Sequence, residues 1–276
     1  MTGELRLLTL NIHGEPNGRD ERTLSVLTDF FCRETPTVAA LQEVCQSADA
    51  PPVASPEQGY ALAEPGVLLR RDLFVLRLVH RLAERGERYF WSYLPIKLGY
   101  GRYDEGVAIL SREPIVETST LTVSRTSDYL NFKTRRLLGA RIGTAWYYSV
   151  HFGWLRDPEE PFAEQWSRTL SGLKRHKGGP ILLMGDFNAP AELRGGGYDL
   201  VSESGYGDVW CLASGEGATV EGSIDGWDGN GGGLRIDQIR PSYVPRSGTA
   251  RRVFDGANEP TVSDHYGVYA TLKGEL

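Results

Sequence analysis

The chain has 276 residues, of which 40% are hydrophobic, and neither a linker nor a low-complexity stretch divides it. A chain of this length and composition can bury a large core, and large α/β folds often reach this size as one unit, so we expect a single domain over residues 1–276. The formal net charge of −6 offers no broad attraction for nucleic acid. This disfavours a nuclease but leaves room for a local basic groove.

The chain begins with a short apolar strand, predicted over residues 5–10, without a basic segment or a cleavage site before it. We therefore expect no signal peptide, and no run of about 18 apolar residues predicts a transmembrane helix. The three cysteines, Cys32, Cys45 and Cys211, are an odd number without a CxxC pair. Neither a disulfide framework nor a zinc knuckle is indicated, and a cytoplasmic protein without a membrane partner fits best.

Apolar residues recur at helical spacing in three segments. After an acidic first turn, Leu24 and Leu27 begin the apolar face of a helix predicted over residues 20–34. Two more amphipathic helices are predicted over residues 69–85 and 158–177, each followed by glycine.

Short apolar runs between these helices predict strands. Beyond residues 5–10, they lie at 37–41, 106–110, 139–142, 146–150, 181–184, 236–240 and 266–272. Two sheets with outer helices fit this order of elements.

Polar clusters repeatedly end the strand-like runs, as in MGDFNAP at 184–190 and VSDHYGV at 262–268. A lone Asp after a strand is usually a helix cap or a turn residue and by itself indicates no chemistry. Here the pattern recurs in six segments, and its polar residues are Asn11, Glu43, His151, Asp186, Asn188, Asp237, Asp264 and His265. Side chains able to bind a metal or a phosphate thus gather at strand ends, which is typical of a hydrolase active site.

In this order the polar residues resemble the motifs of the endonuclease/exonuclease/phosphatase superfamily, also called DNase I-like, and they extend over residues 11–265. The resemblance implies a four-layer α/β sandwich, in which two packed mixed β-sheets are flanked by helices. It also implies divalent-metal-dependent phosphoester hydrolysis. Phrases such as DEGVAILSREPI, SVHFGW and VFDGANEPTVSDHYGV look most like bacterial phosphatases of the maltose 6′-phosphate type.

The resemblance implies a magnesium site, with manganese as the alternative ion, at Glu43 and Asn11. Mg²⁺ is a hard ion that takes one or two protein carboxylates together with waters and substrate phosphate oxygens. Asp264 is expected either to bind the metal or to position the site. Some nuclease branches carry an acidic residue two positions after the asparagine, where this chain has His13, so their metal scheme does not transfer directly.

By the same resemblance, Asp186 is the first candidate for activating the attacking water. Asn188 would donate a hydrogen bond to the phosphate or to that water. His265 is the competing candidate for the base, and Asp237 would then orient its imidazole.

His151 is expected to contact a phosphate oxygen, with Glu105 as its orienting carboxylate, although the segment GRYDEG also reads as an ordinary polar loop. Trp154 and Trp227 are expected to border the substrate, because aromatic faces suit sugar rings and nucleobases; the alternative is packing over loops. The basic residues near the Glu105 segment are Lys97, Arg102, Lys133, Arg135 and Arg136, of which Arg102 and Arg135 are the candidates for gripping a phosphate.

Three functions stay open. The first is a phosphomonoesterase that acts on a phosphorylated sugar or a similar small metabolite. The second is a phosphodiesterase: a nuclease, which needs a longer basic track than this chain has, or a sphingomyelinase-like enzyme, which needs an exposed apolar docking loop that is not evident here. The third is a non-catalytic binding module, which is disfavoured because Glu43, Asp186 and His265 are all present.

Overall fold

The computed structural model describes residues 2–14, 20–54, 57–176, 178–212, 217–222, 227 and 232–275. Its helices are α1 (Asp20–Glu34), α2 (Phe74–Glu84), α3 (Phe162–Leu173), α4 (Gly197–Glu203) and α5 (Val209–Leu212). Its strands are β1 (Thr2–Asn11), β2 (Val38–Ser47), β3 (Phe90–Gly99), β4 (Tyr103–Ser111), β5 (Ile115–Thr122), β6 (Arg136–Ile142), β7 (Ala145–His151), β8 (Ile181–Asp186), β9 (Asp237–Pro241), β10 (Ser247–Val253) and β11 (Gly267–Glu275). None of the described helices is long and apolar enough to cross a membrane.

Two mixed sheets form the centre of the molecule. The first has six strands in the order β10-β11-β1-β2-β4-β3, and the second has five in the order β5-β6-β7-β8-β9. β1 runs parallel to β2, and β7 runs parallel to β8. The remaining described pairs of neighbours are antiparallel.

The two sheets pack face to face. Successive side chains along each strand point to opposite faces of its sheet, so one set is buried between the sheets. Leu7 of the first sheet lies in the same buried cluster as Leu138 of the second. The neighbouring Leu8 belongs to the cluster beneath α1 and α2, as the two-residue period of a strand requires. On the outer face of the second sheet, Trp166 of α3 is buried against the strands. The predicted four-layer sandwich, with two packed mixed sheets between helices, is therefore confirmed.

The predicted helices are present, and two of them are shorter than expected. α1 covers the predicted residues 20–34. α2 begins at Phe74 instead of residue 69, because the backbone of Leu69 and Arg71 is hydrogen bonded to Val53 and Pro51. α3 begins only after Pro161, and the predicted end at residue 177 lies outside the described residues.

Three strands, β3, β5 and β10, were not predicted. All three lie at sheet edges. β5 and β10 carry exposed polar side chains, whereas β3 is buried or half-buried throughout and its apolar run is interrupted by Ser92, Pro95 and Lys97. Neither the continuous apolar run nor the strict alternation of an inner strand is therefore present.

The strand register brings the polar residues together at one edge of the sandwich. In the second sheet His151 of β7 pairs with Asp186 of β8, which in turn pairs with Asp237 of β9. In the first sheet Asn11, the last residue of β1, pairs with Gln42 of β2. Residues that pair across neighbouring strands point to the same face, so this register places three functional side chains in one row.

Buried hydrogen bonds join the two sheets beneath that row. Gln42 Nε2 donates to Ser149 Oγ at 3.0 Å, and this hydroxyl donates to the carbonyl oxygen of Leu41 at 3.0 Å. Gln42 precedes Glu43 in β2, and Ser149 lies two residues before His151 in β7. The bonds therefore fix the relative height of the two strand ends that carry the site.

Candidate active site

The row of His151, Asp186 and Asp237 depends on a close approach of two strands. Gly185 has φ +154°, and a Cβ placed there would lie 1.9 Å from the carbonyl oxygen of Val150. Only glycine lets β8 run this close to β7. The glycine of the GDFN motif is thus required by packing, directly before the catalytic candidate Asp186.

Glu43 reaches the site from a bulge in β2. The register between β2 and β4 shifts between Leu41 and Val44, and Glu43 itself has φ +51°. Asn11 Nδ2 donates to Glu43 Oε1 at 2.8 Å and approaches Asp186 Oδ2 at 3.4 Å. The Asn11 amide therefore links the two carboxylates, which come from different sheets.

His13 occupies the position that the sequence left without a role. Its Nδ1 lies 3.4 Å from Glu43 Oε2 and 3.6 Å from Asp264 Oδ2, so the imidazole stands between the two acids. Burial by itself would raise the pKa of Glu43, but the hydrogen bond from His13 and the charges of His151 and His13 hold it well below its usual range. Glu43 is thus a stable anion.

His265 is held by Asp237, as predicted from the sequence. Its Nδ1 lies 2.9 Å from Asp237 Oδ2, and its Nε2 lies 4.0 Å from Asp186 Oδ2. Burial disfavours the imidazolium, but the charge and hydrogen bond of Asp237 outweigh burial and raise the pKa of His265 to about 10. At neutral pH this histidine is a cation that donates hydrogen bonds, and it has no lone pair with which to accept a proton.

Asn188 has a positioning geometry. Its backbone N–H donates to Asp186 Oδ1 at 2.8 Å, and its Nδ2 donates to the carbonyl of Phe152 at 3.0 Å. Trp227 Nε1 donates to Asn188 Oδ1 at 3.1 Å. These bonds hold the residue in its unusual backbone conformation, φ +47°, and fix the Asp186 carboxylate.

The predicted pairing of Glu105 with His151 is wrong. The register of β3 and β4 places Lys97 opposite Glu105, and their side chains form an ion pair of 3.0 Å. His151 Nε2 instead lies 3.6 Å from Asp186 Oδ2 and 3.9 Å from Glu43 Oε1. Burial and the Arg135 charge hold the pKa of His151 well below its usual range.

A cavity of about 560 Å³ opens over this arrangement. One end is formed by Glu43 and by the catalytic candidates Asp186, Asn188, His151 and His265. The other end is formed by Lys97, Tyr100, Glu105, Phe132, Arg135 and Trp154. Two predicted substrate residues, Trp154 and Arg135, are therefore in the cavity wall.

The other two substrate candidates lie elsewhere. Trp227 stands behind Asn188, as described above, and the cavity lining does not include it. Arg102 is exposed and stacks its guanidinium 4.7 Å over the ring of Tyr103. Of the remaining basic residues, Lys133 pairs with Asp157. Arg136 pairs with Glu64.

Exposed apolar residues that the sequence analysis missed form a rim at the cavity: Tyr100 and Phe132 belong to its wall, and Leu130 lies two residues before Phe132. Tyr100, Leu130 and Phe132 are 66%, 72% and 56% exposed. They lie in two loops held together by the hydrogen bond from the Leu98 N–H to the Tyr129 carbonyl, 2.8 Å long. The patch is not evident in the sequence, because its residues come from segments about thirty residues apart and have polar neighbours in the chain.

The donor set suits a hard divalent ion. Glu43 and Asp186 provide carboxylate oxygens on either side of the Asn11 amide, and oxygen ligands of this kind are what Mg²⁺ and Mn²⁺ prefer. Asp186, Asp237 and His265 also offer three ligand atoms within 4.8 Å of one another. Asp237 and His265 are, however, hydrogen bonded to each other, which leaves the Glu43 side as the better fit.

Comparisons with known proteins show the family and the fold. The model of the Endonuclease/Exonuclease/phosphatase family matches residues 8–265. No curated protein sequence matches the chain significantly. Among solved structures, an endonuclease/exonuclease/phosphatase family protein from Leptotrichia buccalis C-1013-b is similar with a TM-score of 0.84 and 22% identity, covering 98% of this chain and 100% of that one.

Two further structures have more specific names. The mannosyl-6-phosphatase Bt3783 of Bacteroides thetaiotaomicron VPI-5482 is similar with a TM-score of 0.59 and 18% identity, covering 98% of this chain and 100% of that one. TDP2 from Caenorhabditis elegans is similar with a TM-score of 0.60 and 18% identity, covering 99% of this chain and 75% of that one. At identities this low, the structural similarity establishes the shared fold alone. With the family model matched over nearly its whole length, the chain belongs to the endonuclease/exonuclease/phosphatase family.

Proposed function

We propose that the protein is a cytoplasmic, divalent-metal-dependent phosphomonoesterase that acts on a phosphorylated sugar or a similar small metabolite. The observation that carries this proposal is the position of Asp186. Its carboxylate lies within 4.0 Å of both His151 and His265, in a cavity that Glu43 also lines. A base beside two imidazoles and a metal-binding carboxylate is the arrangement that phosphoester hydrolysis requires.

Asp186 is the base in this proposal. It takes a proton from a water molecule, whose oxygen attacks the phosphorus atom in line with the leaving oxygen. Its two oxygens are already oriented by the Asn188 N–H and the Asn11 amide, so little reorganisation is needed. His265 does not compete for this role, because its paired Asp237 keeps the imidazole protonated.

Cationic and donor groups surround the place where charge develops. His265 presents its Nε2–H on the side of Asp186, and His151 presents its ring from the neighbouring strand. Glu43 would hold the metal ion, with its carboxylate oriented by the Asn11 amide, and Asp264 would position His13 beside it. When bound, the ion supplies polarisation of the phosphoryl group and stabilises negative charge on the leaving oxygen.

The preference for a small monoester rests on the cavity and its charges. A volume of about 560 Å³ suits one small molecule. Two basic residues near the Glu105 segment are neutralised in ion pairs, Lys133 with Asp157 and Arg136 with Glu64. A duplex needs a track of free cations along successive phosphates, which the described surface does not offer near the cavity. The likeness to a mannosyl-6-phosphatase points the same way.

The alternative is a phosphodiesterase that uses the same catalytic end. The exposed Tyr100, Leu130 and Phe132 at the rim favour a version that approaches a lipid substrate. Because the fold is also similar to that of TDP2, the assays below include nucleic-acid substrates.

The deciding experiment measures Mg²⁺-dependent release of inorganic phosphate from sugar phosphates and nucleotides. Parallel assays use single-stranded DNA, duplex DNA and sphingomyelin vesicles, and Asp186→Asn serves as the catalytic control. We expect phosphate from sugar monoesters and no cleavage of the diesters. Cleavage confined to a diester would overturn the monoesterase proposal, and inactivity on every substrate would favour a binding module.

A further inference from the structure

The end of the cavity away from Asp186 has a chemistry of its own. Building on the proposed function, we infer that Lys97, Glu105 and Gly99, with the aromatic residues of the rim, form a leaving-group subsite for a ring that carries adjacent hydroxyls. The phosphate would lie at the catalytic end and the polyhydroxylated ring at this one. The inference rests on three features: a buried ion pair, an open space beside it, and an apolar wall.

The ion pair of Lys97 and Glu105 is built into the floor of the cavity. Each residue is 9% exposed, and the two lie opposite each other in β3 and β4. Lys97 Nζ contacts Glu105 Oε1 at 3.0 Å and donates to the carbonyl of Phe132 at 3.2 Å. An ammonium has three donors, so one remains for a ligand in this geometry.

Gly99 leaves room for the carboxylate of Glu105, and both residues line the cavity. A Cβ at Gly99 would lie 2.8 Å from Glu105 Oε2, although Glu105 Oε1 is the atom that faces Lys97. Any larger residue would therefore push the carboxylate from its place. One oxygen of Glu105 and one donor of Lys97 are left side by side. A pair of adjacent hydroxyls, each both donor and acceptor, satisfies them together.

Arg135 lines the same end of the cavity as Lys97. It is 6% exposed, and its Nη1 is held by the carbonyls of Phe132 and Thr134. Its Nε is buried and has no hydrogen-bond partner among the described residues. The charge of Arg135 acts on Glu105, Glu43 and Asp186, so this cation favours an anionic substrate in the cavity.

The rim gives the subsite an apolar wall. The rings of Phe132 and Trp154 have centroids 6.3 Å apart and are inclined by 50°, and Tyr100 stands exposed on the other loop. Inclined rings do not make the parallel slot that would sandwich a flat base. They offer faces for the C–H groups of a puckered ring, whose hydroxyls then reach Lys97 and Glu105.

The test compares three monoesters: glucose 6-phosphate, butyl phosphate, which lacks hydroxyls, and phenyl phosphate, which has a flat ring without hydroxyls. In the wild type we expect kcat/KM to favour glucose 6-phosphate over butyl phosphate by about tenfold or more. Lys97→Met and Gly99→Ala should remove most of that preference, mainly through a higher KM. Lys273→Met, at an exposed lysine of β11, and Gly207→Ala, where a Cβ meets nothing within 4 Å, should retain it.

Several outcomes would overturn the subsite. They are an unchanged preference in Gly99→Ala, an equal loss on all three esters, or a preference of the wild type for phenyl phosphate. Lys97→Met leaves Glu105 without its partner and risks misfolding. Gly99→Ala retains both charges and therefore decides the case if the lysine variant does not fold.

A binding measurement separates this inference from the proposed function. Titration calorimetry of glucose 6-phosphate into the metal-free protein, with EDTA present, reports on the subsite without turnover. Binding that Gly99→Ala weakens, together with no phosphate release from any monoester, would support the subsite and sink the proposed function. Phosphate release from butyl phosphate as fast as from glucose 6-phosphate would support a phosphomonoesterase and contradict the subsite.

Discussion

Asp237 Oδ2 lies 2.9 Å from His265 Nδ1, and Asp237 is completely buried. The charge of this carboxylate is what keeps the imidazole protonated, since burial alone would lower the pKa of His265. In Asp237→Asn the amide oxygen can still accept the Nδ1 hydrogen bond, but the negative charge is lost. The geometry is thus retained while the electrostatics change.

As pH rises, we expect the Asp237→Asn variant to lose activity earlier, at a lower pH, than the wild type does. The pKa of His265 is raised to about 10, so the active cation is present below that value and is lost as pH rises through it. Without the Asp237 charge the pKa falls, and the alkaline limb of kcat/KM moves to lower pH. The measurement is the pH dependence of kcat/KM for both proteins, and an alkaline limb at the same pH in both would contradict the role of the cation.

Asp186→Asn should lower kcat by about a hundredfold or more, because a positioned general base typically contributes that much. The substitution preserves size and leaves Asn188 and Asn11 in place, so the fold should be unchanged. Steady-state kinetics and circular dichroism check the two statements. Turnover near that of the wild type would remove Asp186 from the role of base.

Metal binding should stabilise the protein through Glu43. With Mg²⁺ at about a hundred times its dissociation constant, the free energy of unfolding should rise by about 2.7 kcal/mol relative to EDTA. Glu43→Gln should lose most of this difference, whereas Glu117→Gln, at an exposed carboxylate paired with Arg141, should retain it. Thermal unfolding with and without Mg²⁺ measures the effect. An equal stabilisation in wild type and Glu43→Gln would exclude Glu43 as a ligand.

Trp227→Phe distinguishes positioning from substrate contact. The phenyl ring preserves an aromatic face but removes the Nε1–H that donates to Asn188 Oδ1 at 3.1 Å. A hydrogen bond of this kind contributes about 0.5–1.5 kcal/mol, so we expect kcat to fall by about two- to tenfold with KM little changed. A higher KM at unchanged kcat would instead support the stacking role predicted from the sequence.

Gly185→Ala should destabilise the fold. A methyl group there collides with the Val150 carbonyl at 1.9 Å, so β7 and β8 must separate, at a cost of about 1–3 kcal/mol or more. Gly207→Ala is the control, because no atom lies within 4 Å of its added Cβ. Urea unfolding gives the free energy of unfolding of both variants. Similar values would show that β7 and β8 can accommodate a methyl group at position 185.

The catalytic end of the cavity was largely predictable from the chain. Asn11, Glu43, His151 and Asp186 each stand at the end of an apolar run, and an inner strand with buried faces makes such a run necessary. The pairing of His265 with Asp237 was also predicted, from the resemblance to the family, and the two side chains are in contact.

The partner of Glu105 was not predictable in this way. It depends on the register between β3 and β4, and β3 is an edge strand that carries a proline and a bulge. The role of Trp227 and the separation of Arg102 from the cavity depend likewise on how loops fold back over the sheets.

The sequence by itself determined the family, the layered fold and the identity of the side chains at the ends of the inner strands. These follow from local patterns, since burial on a strand imposes apolar runs whose polar ends are visible in the chain. Only the tertiary structure decided which groups pair and what forms the far end of the cavity. Lys97, Tyr100, Phe132 and Trp154 come from separate loops and strands, and their distances depend on strand register and loop packing.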